Sequence, residues 1–227
     1  MKCPVALFIL NLLCIPAFAS SANVTRVYPL DSPCQHVTLK LSEDVGDEAG
    51  TASVAWTSEH KPYHESLVIP SGYWPTIYSN SKKAACLIWS RNGHCSLVLL
   101  AHVDDGPLDD QIVLIYEIRR NKWHLVNSKL SDFIFSDRGR FFMRKGRPNI
   151  IDFVYDPNFA VFAPDRYRLR EFDFQNGKVK LVKSQTTRHR YSKDIAFSSN
   201  DSNKRDDPLR EFGLSWRRSI GTSVPYE

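Results

Sequence analysis

Residues 86–126 read CLIWSRNGHCSLVLLAHVDDGPLDDQIVLIYEIRRNKWHLV, and the fold is decided here. Three dense apolar runs are separated by Asn92-Gly93, by Asp104–Asp110 and by Arg119–Lys122. Runs of this length, rich in β-branched and aromatic residues and bounded by turn residues, are strands. Asn-Gly favours a two-residue type I′ hairpin turn. In that register Arg91 faces His94, Ser90 faces Cys95 and Cys86 faces Leu99. Cys86, Ile88, Leu97 and Leu99 then share one face, and Leu87, Trp89, Val98 and Leu100 share the other. A hairpin apolar on both faces is covered on both sides, so it belongs inside a stack of sheets.

The rest of the chain extends this pattern. Tyr167–Phe174 and Val179–Val182 flank Gln175-Asn176-Gly177-Lys178, a second Asn-Gly hairpin. Its expected pairs are Phe174–Val179 and Phe172–Leu181 on the inner face and Asp173–Lys180 on the outer one. Glu117–Val126 and Glu171–Val182 align with a two-residue gap, a weak repeat with its copies 54 positions apart. Upstream, Asn23–Pro33 is an extended entry segment. Cys34–Leu41, Thr51–Thr57 and Glu65–Ile69 read as short strands, with Ser42–Gly50 an acidic loop. Pro62, Pro70 and Pro75 exclude long helices between them. A short helix is expected near Ser131–Phe135 and a strand at Ile150–Tyr155. The fold class is therefore all-β, mainly antiparallel with few short helices: stacked sheets, as a sandwich or as partial β-propeller-like hairpin repeats.

The N-terminus has the layout of a secretory signal peptide. Lys2 precedes an apolar run from Val5 to Ile15, and Ala17-Phe18-Ala19 supplies the cleavage pattern. Cys14 follows the large Leu13, which disfavours a lipoprotein site. The organisation expected is a signal peptide at 1–19, a β-rich globular domain at 20–191 and a polar tail at 192–227. Within that tail, 192–207 reads as linker and Leu209–Trp216 as an element that docks back. Cleavage removes Lys2 and takes the formal charge from +5 to +4, a modest excess that suits anionic partners and does not point to nucleic acid. No later stretch is long and apolar enough for a membrane-spanning helix. Asn23-Val24-Thr25 and Asn200-Asp201-Ser202 fit N-glycosylation sequons, which matter in a eukaryotic secretory route.

Cleavage leaves Cys34, Cys86 and Cys95. An oxidising compartment favours one disulfide. In the register above, Cys86 lies four residues from the partner of Cys95, about 13 Å along a strand. A disulfide needs Cα atoms within about 7 Å. Cys34 is therefore expected to pair with Cys86 or with Cys95, both of which that register sets on one face.

Residues with chemical potential are scattered. Asp104, Asp105, Asp109 and Asp110 crowd one loop, and calcium takes six to eight oxygens from such loops. The alternative is a solvated turn. Asp105-Gly106-Pro107-Leu108-Asp109 resembles the Asp-Gly-x-x-Asp element of FG-GAP-type propeller repeats, without their D-x-D-x-D ladder, and no ligand is transferred from it. His102 precedes this loop and is the candidate general base, against the simpler reading of a strand-end residue. His60 and His64 have helical metal-ligand spacing, but Pro62 lies between them and a surface loop is the better reading. His94 is next to Cys95, and neighbours in a strand point to opposite faces. Arg138, Arg140, Arg144, Lys145 and Arg147 surround Phe141 and Phe142, a pattern that takes anions or stacks on planar groups. The plainer reading is a turn followed by a half-buried strand with arginines at its exposed positions.

No G-x-S-x-G, H-E-x-x-H, C-x-x-C, Walker loop or dinucleotide fingerprint occurs, which argues against the best-marked enzyme classes. The expectation is a secreted or periplasmic non-catalytic binding or inhibitor-type protein, with a protein or an anionic envelope or wall component as partner. The alternatives are a secreted hydrolase with dispersed catalytic residues and a calcium-stabilised structural module.

Overall fold

A computed structural model of the chain describes residues 24–30, 37–43, 50–75, 85–89, 95–103, 110–136, 139–154, 165–191 and 208–214. The described strands form three antiparallel sheets, and no barrel closes among them. The first sheet runs β1 (Val24–Leu30), β2 (Val37–Glu43), β3 (Gly50–Ser58), β4 (Lys61–Ser66) in chain order. The third runs β11 (Arg140–Arg144), β12 (Arg147–Val154), β13 (Arg166–Gln175), β14 (Lys178–Thr186). The middle sheet is built on β7 (Cys95–Val103) and β8 (Asp110–Arg119). Its outer positions are each filled by two short strands placed end to end. β5 (Tyr73–Pro75) and β6 (Ala85–Trp89) line the far edge of β7, while β9 (Lys122–Leu125) and β10 (Ile134–Phe135) line that of β8. Each sheet is thus an up-and-down meander four strands wide.

Four two-residue turns fix much of the register. Both central residues have positive φ at Glu59-His60, Arg120-Asn121, Lys145-Gly146 and Asn176-Gly177, the signature of type I′ turns, whose twist matches the flanking strands. Asn176-Gly177 gives the pairs expected from sequence, Phe174 with Val179 and Asp173 with Lys180. Glu59-His60 closes β3 and β4 into a hairpin where a loop was expected. Neither residue is glycine or asparagine, so nothing in the pair announced a left-handed conformation. Pro62 is accommodated because β4 ends its sheet, where a missing backbone donor costs little.

The middle sheet is buried on both faces. Ser96–Ala101 and Gln111–Glu117 are buried at every position, as two apolar faces require. One side meets the first sheet. The Trp123 ring lies edge-on to Trp56 at 5.9 Å, Trp56 stacks on Tyr63 at 5.4 Å, and the Tyr116 hydroxyl donates to the Val68 carbonyl at 3.0 Å. Burial pushes the Tyr116 phenol up, which keeps it a donor. The other side meets the third sheet. Val179 N–H donates to the Val126 carbonyl at 2.7 Å, Ser128 N–H donates to the Val179 carbonyl at 2.9 Å, and Arg119 Nη2 donates to the Gly177 carbonyl at 2.6 Å. The edge of β8 has a gap between β9 and β10, and the buried Asn127 side chain fills it. Its Oδ1 accepts from Ile115 N–H at 2.8 Å and its Nδ2 donates to the Val113 carbonyl at 2.9 Å. A buried backbone pair left open there would cost about 1–3 kcal/mol per group.

A 3-10 turn at Leu130–Phe133 takes the place of the expected short helix. Arg170 pins it by donating to the Asp132 and Ile134 carbonyls, each at 2.6 Å. Beside it, Asp152 accepts from the Ser136 hydroxyl at 2.7 Å and the Ser136 N–H at 3.1 Å. Burial pushes the Asp152 carboxyl up, and the Ser136 donors and the Arg170 charge oppose that shift. Gly139 is required here, because a Cβ would stand 2.8 Å from the Phe135 ring.

A second, smaller core lies on the outward face of the third sheet. Phe142, Ile151, Tyr167, Leu169 and Tyr191 are covered there by Leu209 and Leu214. The covering segment, residues 208–214, docks back as its apolar residues suggest. Glu211 ties it down, accepting from Arg188 N–H at 2.6 Å, His189 N–H at 3.0 Å and the Tyr191 hydroxyl at 2.7 Å. Partial burial pushes the Glu211 carboxyl up. The bonds from Tyr191, Arg188 and His189 outweigh it and hold the carboxyl at about 2.

Two sequence expectations are corrected. In the central hairpin Trp89 pairs with Cys95 and Cys86 with Val98, one residue off the register set by a two-residue Asn92-Gly93 turn. Five residues, 90–94, separate the last paired positions, so a longer connection sets the pairing. Cys86 then lies three residues from the partner of Cys95, still about 10 Å along the strand. The same shift removes the reason for placing both cysteines on one face. Cys34 lies outside the described residues, and with it the disulfide to Cys86 or Cys95. Second, Leu181 is not inside: it is 36% exposed, because β14 ends its sheet and leaves the main core after Val179.

Candidate cationic face

The outward face of the third sheet has two halves. One is the apolar half capped by residues 208–214. The other begins where Phe142 and Asn149 pair across β11 and β12 and continues toward the hairpin ends. On β13, Phe172 and Phe174 turn to the main core, so Glu171 and Asp173 face outward with Leu169. The two carboxylates are two positions apart on one strand, close enough for a single guanidinium to bridge. Arg147 does so, with Nη1 2.6 Å from Glu171 and Nη2 2.8 Å from Asp173. The hydrogen bond to Glu171 and the Asp173 charge hold its guanidinium above the usual arginine range.

Cations flank this cluster on both sides. Arg144 pairs with Arg147 across the β11–β12 turn, and Lys145 occupies the exposed first turn position. On β14, Lys178 is opposite Gln175, Lys180 opposite Asp173 and Lys183 opposite Glu171. A β-bulge decides the last pair. If the hairpin register continued unbroken from Phe172–Leu181, Val182 would face Glu171. The register shifts between Glu171 and Phe172, Val182 becomes the extra residue, and a lysine faces the carboxylate instead. Among the described residues, Arg144, Lys145, Arg147, Lys178, Lys180 and Lys183 thus gather around Glu171 and Asp173. Arg144, Lys145, Arg147 and Glu171 line a hollow of about 210 Å³. That is below the usual small-molecule pocket of about 300–1,000 Å³, and suits one carboxylate or phosphate group with the remainder of its bearer outside.

The sequence-predicted residues distribute unevenly around this face. Arg144, Lys145 and Arg147 belong to it. Arg140 is at the far end of β11, where its Nη1 donates to the Gly139 carbonyl at 2.7 Å, and Arg138 lies outside the described residues. The aromatic half of the expected surface is withdrawn: Phe141 and Phe142 are buried, one in each core. Lys178, Lys180 and Lys183 were missed as site residues because they stand in another hairpin. The alternation of Lys178 and Lys180 with Val179 and Leu181 was the available signal for those two, and Lys183 breaks it.

The other candidates lie elsewhere. His102 sits within β7, between Trp74 of β5 and Gln111 of β8, its ring 6.4 Å from the Trp74 ring. Asp110 opens β8 opposite Val103. Asp104, Asp105 and Asp109 lie outside the described residues, as does the calcium reading that depends on them, and so does His94. His60 occupies the β3–β4 turn and His64 faces Ala55. Among the described residues no three His, Cys, Asp or Glu side chains are grouped to hold a metal ion, and no helix is long and apolar enough to cross a membrane. No protein-family model, curated protein or solved structure matches this chain.

Proposed function

We propose that this is a secreted, non-catalytic binding protein that engages an anionic partner through the outward face of its third sheet. The observation that carries the reading is the gathering, among the described residues, of Arg144, Lys145, Arg147, Lys178, Lys180 and Lys183 around Glu171 and Asp173 on two paired hairpins. Like charges brought together on a folded surface repel one another, and a polyanion relieves that repulsion on binding. Arg147 is already bridged to Glu171 and Asp173, so it orders the face. Arg144, Lys145 and the β14 lysines supply the unspent charge. Export is supported by Lys2, the Val5–Ile15 run and Ala17-Phe18-Ala19.

The test is equilibrium binding of the exported protein to polyglutamate and to polyphosphate, each over a salt series. Saturable binding that weakens as salt rises is expected, because these charges are solvent-facing. Arg144→Glu with Lys145→Glu should lower affinity about tenfold or more, the range seen for charged contacts in interfaces. No saturable binding to either polymer refutes the reading. The N-terminus of the exported protein, read by mass spectrometry, should be Ser20; an intact Met1 would refute cleavage.

A further inference from the structure

We propose that the partner is held partly by strand addition: the edge of β14 past Val179, which no described strand covers, accepts an extended protein segment carrying acidic side chains. This rests on the reading of the cationic face and specifies its ligand as a peptide strand.

Three observations converge on β14. It is the last strand of its sheet among the described residues, and an edge strand presents a row of backbone donors and acceptors to any chain that can pair with it. The edge already accepts a chain segment at its beginning. Val179 bonds outward to Val126 and Ser128 and forms a parallel bridge with Asn127. Past Val179 the neighbouring chain leaves, and the edge continues for seven more residues to Thr186. The outward positions can be identified. Tyr167 turns toward β14, since its carbonyl accepts from Thr187 N–H at 2.8 Å. Alternation then turns Leu169 and Glu171 toward β14 and Arg170 away from it. Ser184, opposite Arg170, therefore points its backbone groups outward.

The side chains specify the kind of strand. Leu181 is 36% exposed and Val182 39%. Both are accessible because β14 leaves the main core after Val179, and every position from Leu181 to Thr186 is exposed. Natural edge strands with apolar residues carry lysines that block self-pairing, and β14 has Lys178, Lys180 and Lys183. A second copy of this chain would set lysines against lysines. A segment alternating acidic and apolar residues meets the lysines with carboxylates and Leu181 and Val182 with its apolar positions. Strand addition takes its affinity from the backbone and its specificity from alternate side chains.

The probe is a capped eight-residue peptide of alternating Glu and Val, bearing a fluorophore and followed by anisotropy. Its comparators are the same peptide N-methylated on alternate residues, which keeps the charge and removes strand pairing, and octaglutamate. Binding of the first peptide at least tenfold tighter than of both comparators is expected. Ser184→Pro removes an outward donor and leaves the ladder to β13 intact. It should lower affinity tenfold or more with an unchanged melting midpoint. Lys180→Glu with Lys183→Glu should do the same and keeps the claim testable if the proline variant does not fold. Equal binding of all three peptides overturns strand addition and leaves the anionic face standing. No binding of any of them, with none to polyphosphate, removes both. Concentration-dependent dimers abolished by Ser184→Pro would make the occupant a second copy and overturn the acidic segment.

Discussion

The hairpins β8–β9 and β13–β14 are the same device in two settings. Both turn through two residues at positive φ, and both return a strand antiparallel to its predecessor. In β8 every position from Gln111 to Glu117 is buried and even the break in its edge is sealed by Asn127, while β9 buries Trp123 and exposes Lys122 and His124. In β13–β14 one face meets the core, and the other meets residues 208–214 at Tyr167 and Leu169 and solvent at Glu171, Asp173 and the lysines. The difference shows where this fold spends its sequence. The middle sheet contributes stability and little that a partner can reach, while the third sheet exchanges some stability for a surface. The contrast predicts that substitutions in the middle sheet unfold the protein and substitutions on the outward face alter binding or local order.

The largest effect is expected at the centre of β8. Leu114 is fully buried, and Leu114→Ala should lower stability by about 2–5 kcal/mol through lost burial and the cavity left behind. Urea unfolding should show a lower midpoint with an unchanged slope. A loss below about 1 kcal/mol would mean that the middle sheet is not packed on both faces. Asn127→Leu comes next. It leaves the Ile115 N–H and the Val113 carbonyl without their side-chain partner, and a loss of about 2 kcal/mol follows if one to two buried groups go unpaired. The same measurement checks it, and an unchanged midpoint would show that water or backbone can seal the gap.

The outward face should behave locally. Glu211→Gln weakens the tie between residues 208–214 and the second core, an effect of about 1 kcal/mol on the docked segment. The native carboxyl also predicts an acid response. Its value falls from the ordinary 4.5 to about 2 on docking, so the docked state binds the proton less readily than the free one. The stabilisation is complete above about pH 4.5 and is lost as pH falls through the interval down to about 2. Protection of the Leu214 amide relative to its intrinsic exchange rate, its N–H donating to the Leu209 carbonyl at 2.9 Å, should fall in that interval before protection in β8 does. A simultaneous fall in both would mean that the two cores open together.

The same contrast explains what could be read from the sequence. Two-sided burial of β7 was legible because Leu97–Leu100 is apolar at every position, which puts apolar side chains on both faces of a strand. The β13–β14 register was legible because Asn176-Gly177 specifies its own turn. Asn92-Gly93 carries the same dipeptide, yet the pairing beyond it is shifted by one residue. Packing of long apolar strands between two sheets outweighs the preference of one turn. Glu59-His60 gave no signal, because its positive φ is imposed by the sheet it closes. The cationic face was half legible. Arg144, Lys145 and Arg147 form a run in the chain, whereas Lys178, Lys180 and Lys183 join them only through strand pairing and a bulge that no periodicity in the sequence encodes.

The smallest effect on stability is expected where the effect on binding is largest. Arg144 and Lys145 flank and form a hairpin turn, and they have no ion pair among the described residues. Arg144→Glu with Lys145→Glu should shift stability by no more than about 0.5 kcal/mol, as surface changes away from specific contacts do. It leaves Arg147 bridged to Glu171 and Asp173, so the frame of the face persists. Urea unfolding of the double variant should overlay that of the parent, while its affinity for polyglutamate falls and becomes less sensitive to salt. A destabilisation comparable to that of Leu114→Ala would place these residues in the framework of the fold and erase the distinction between the two hairpins. Equal affinity in parent and variant would move the anionic partner away from this face altogether.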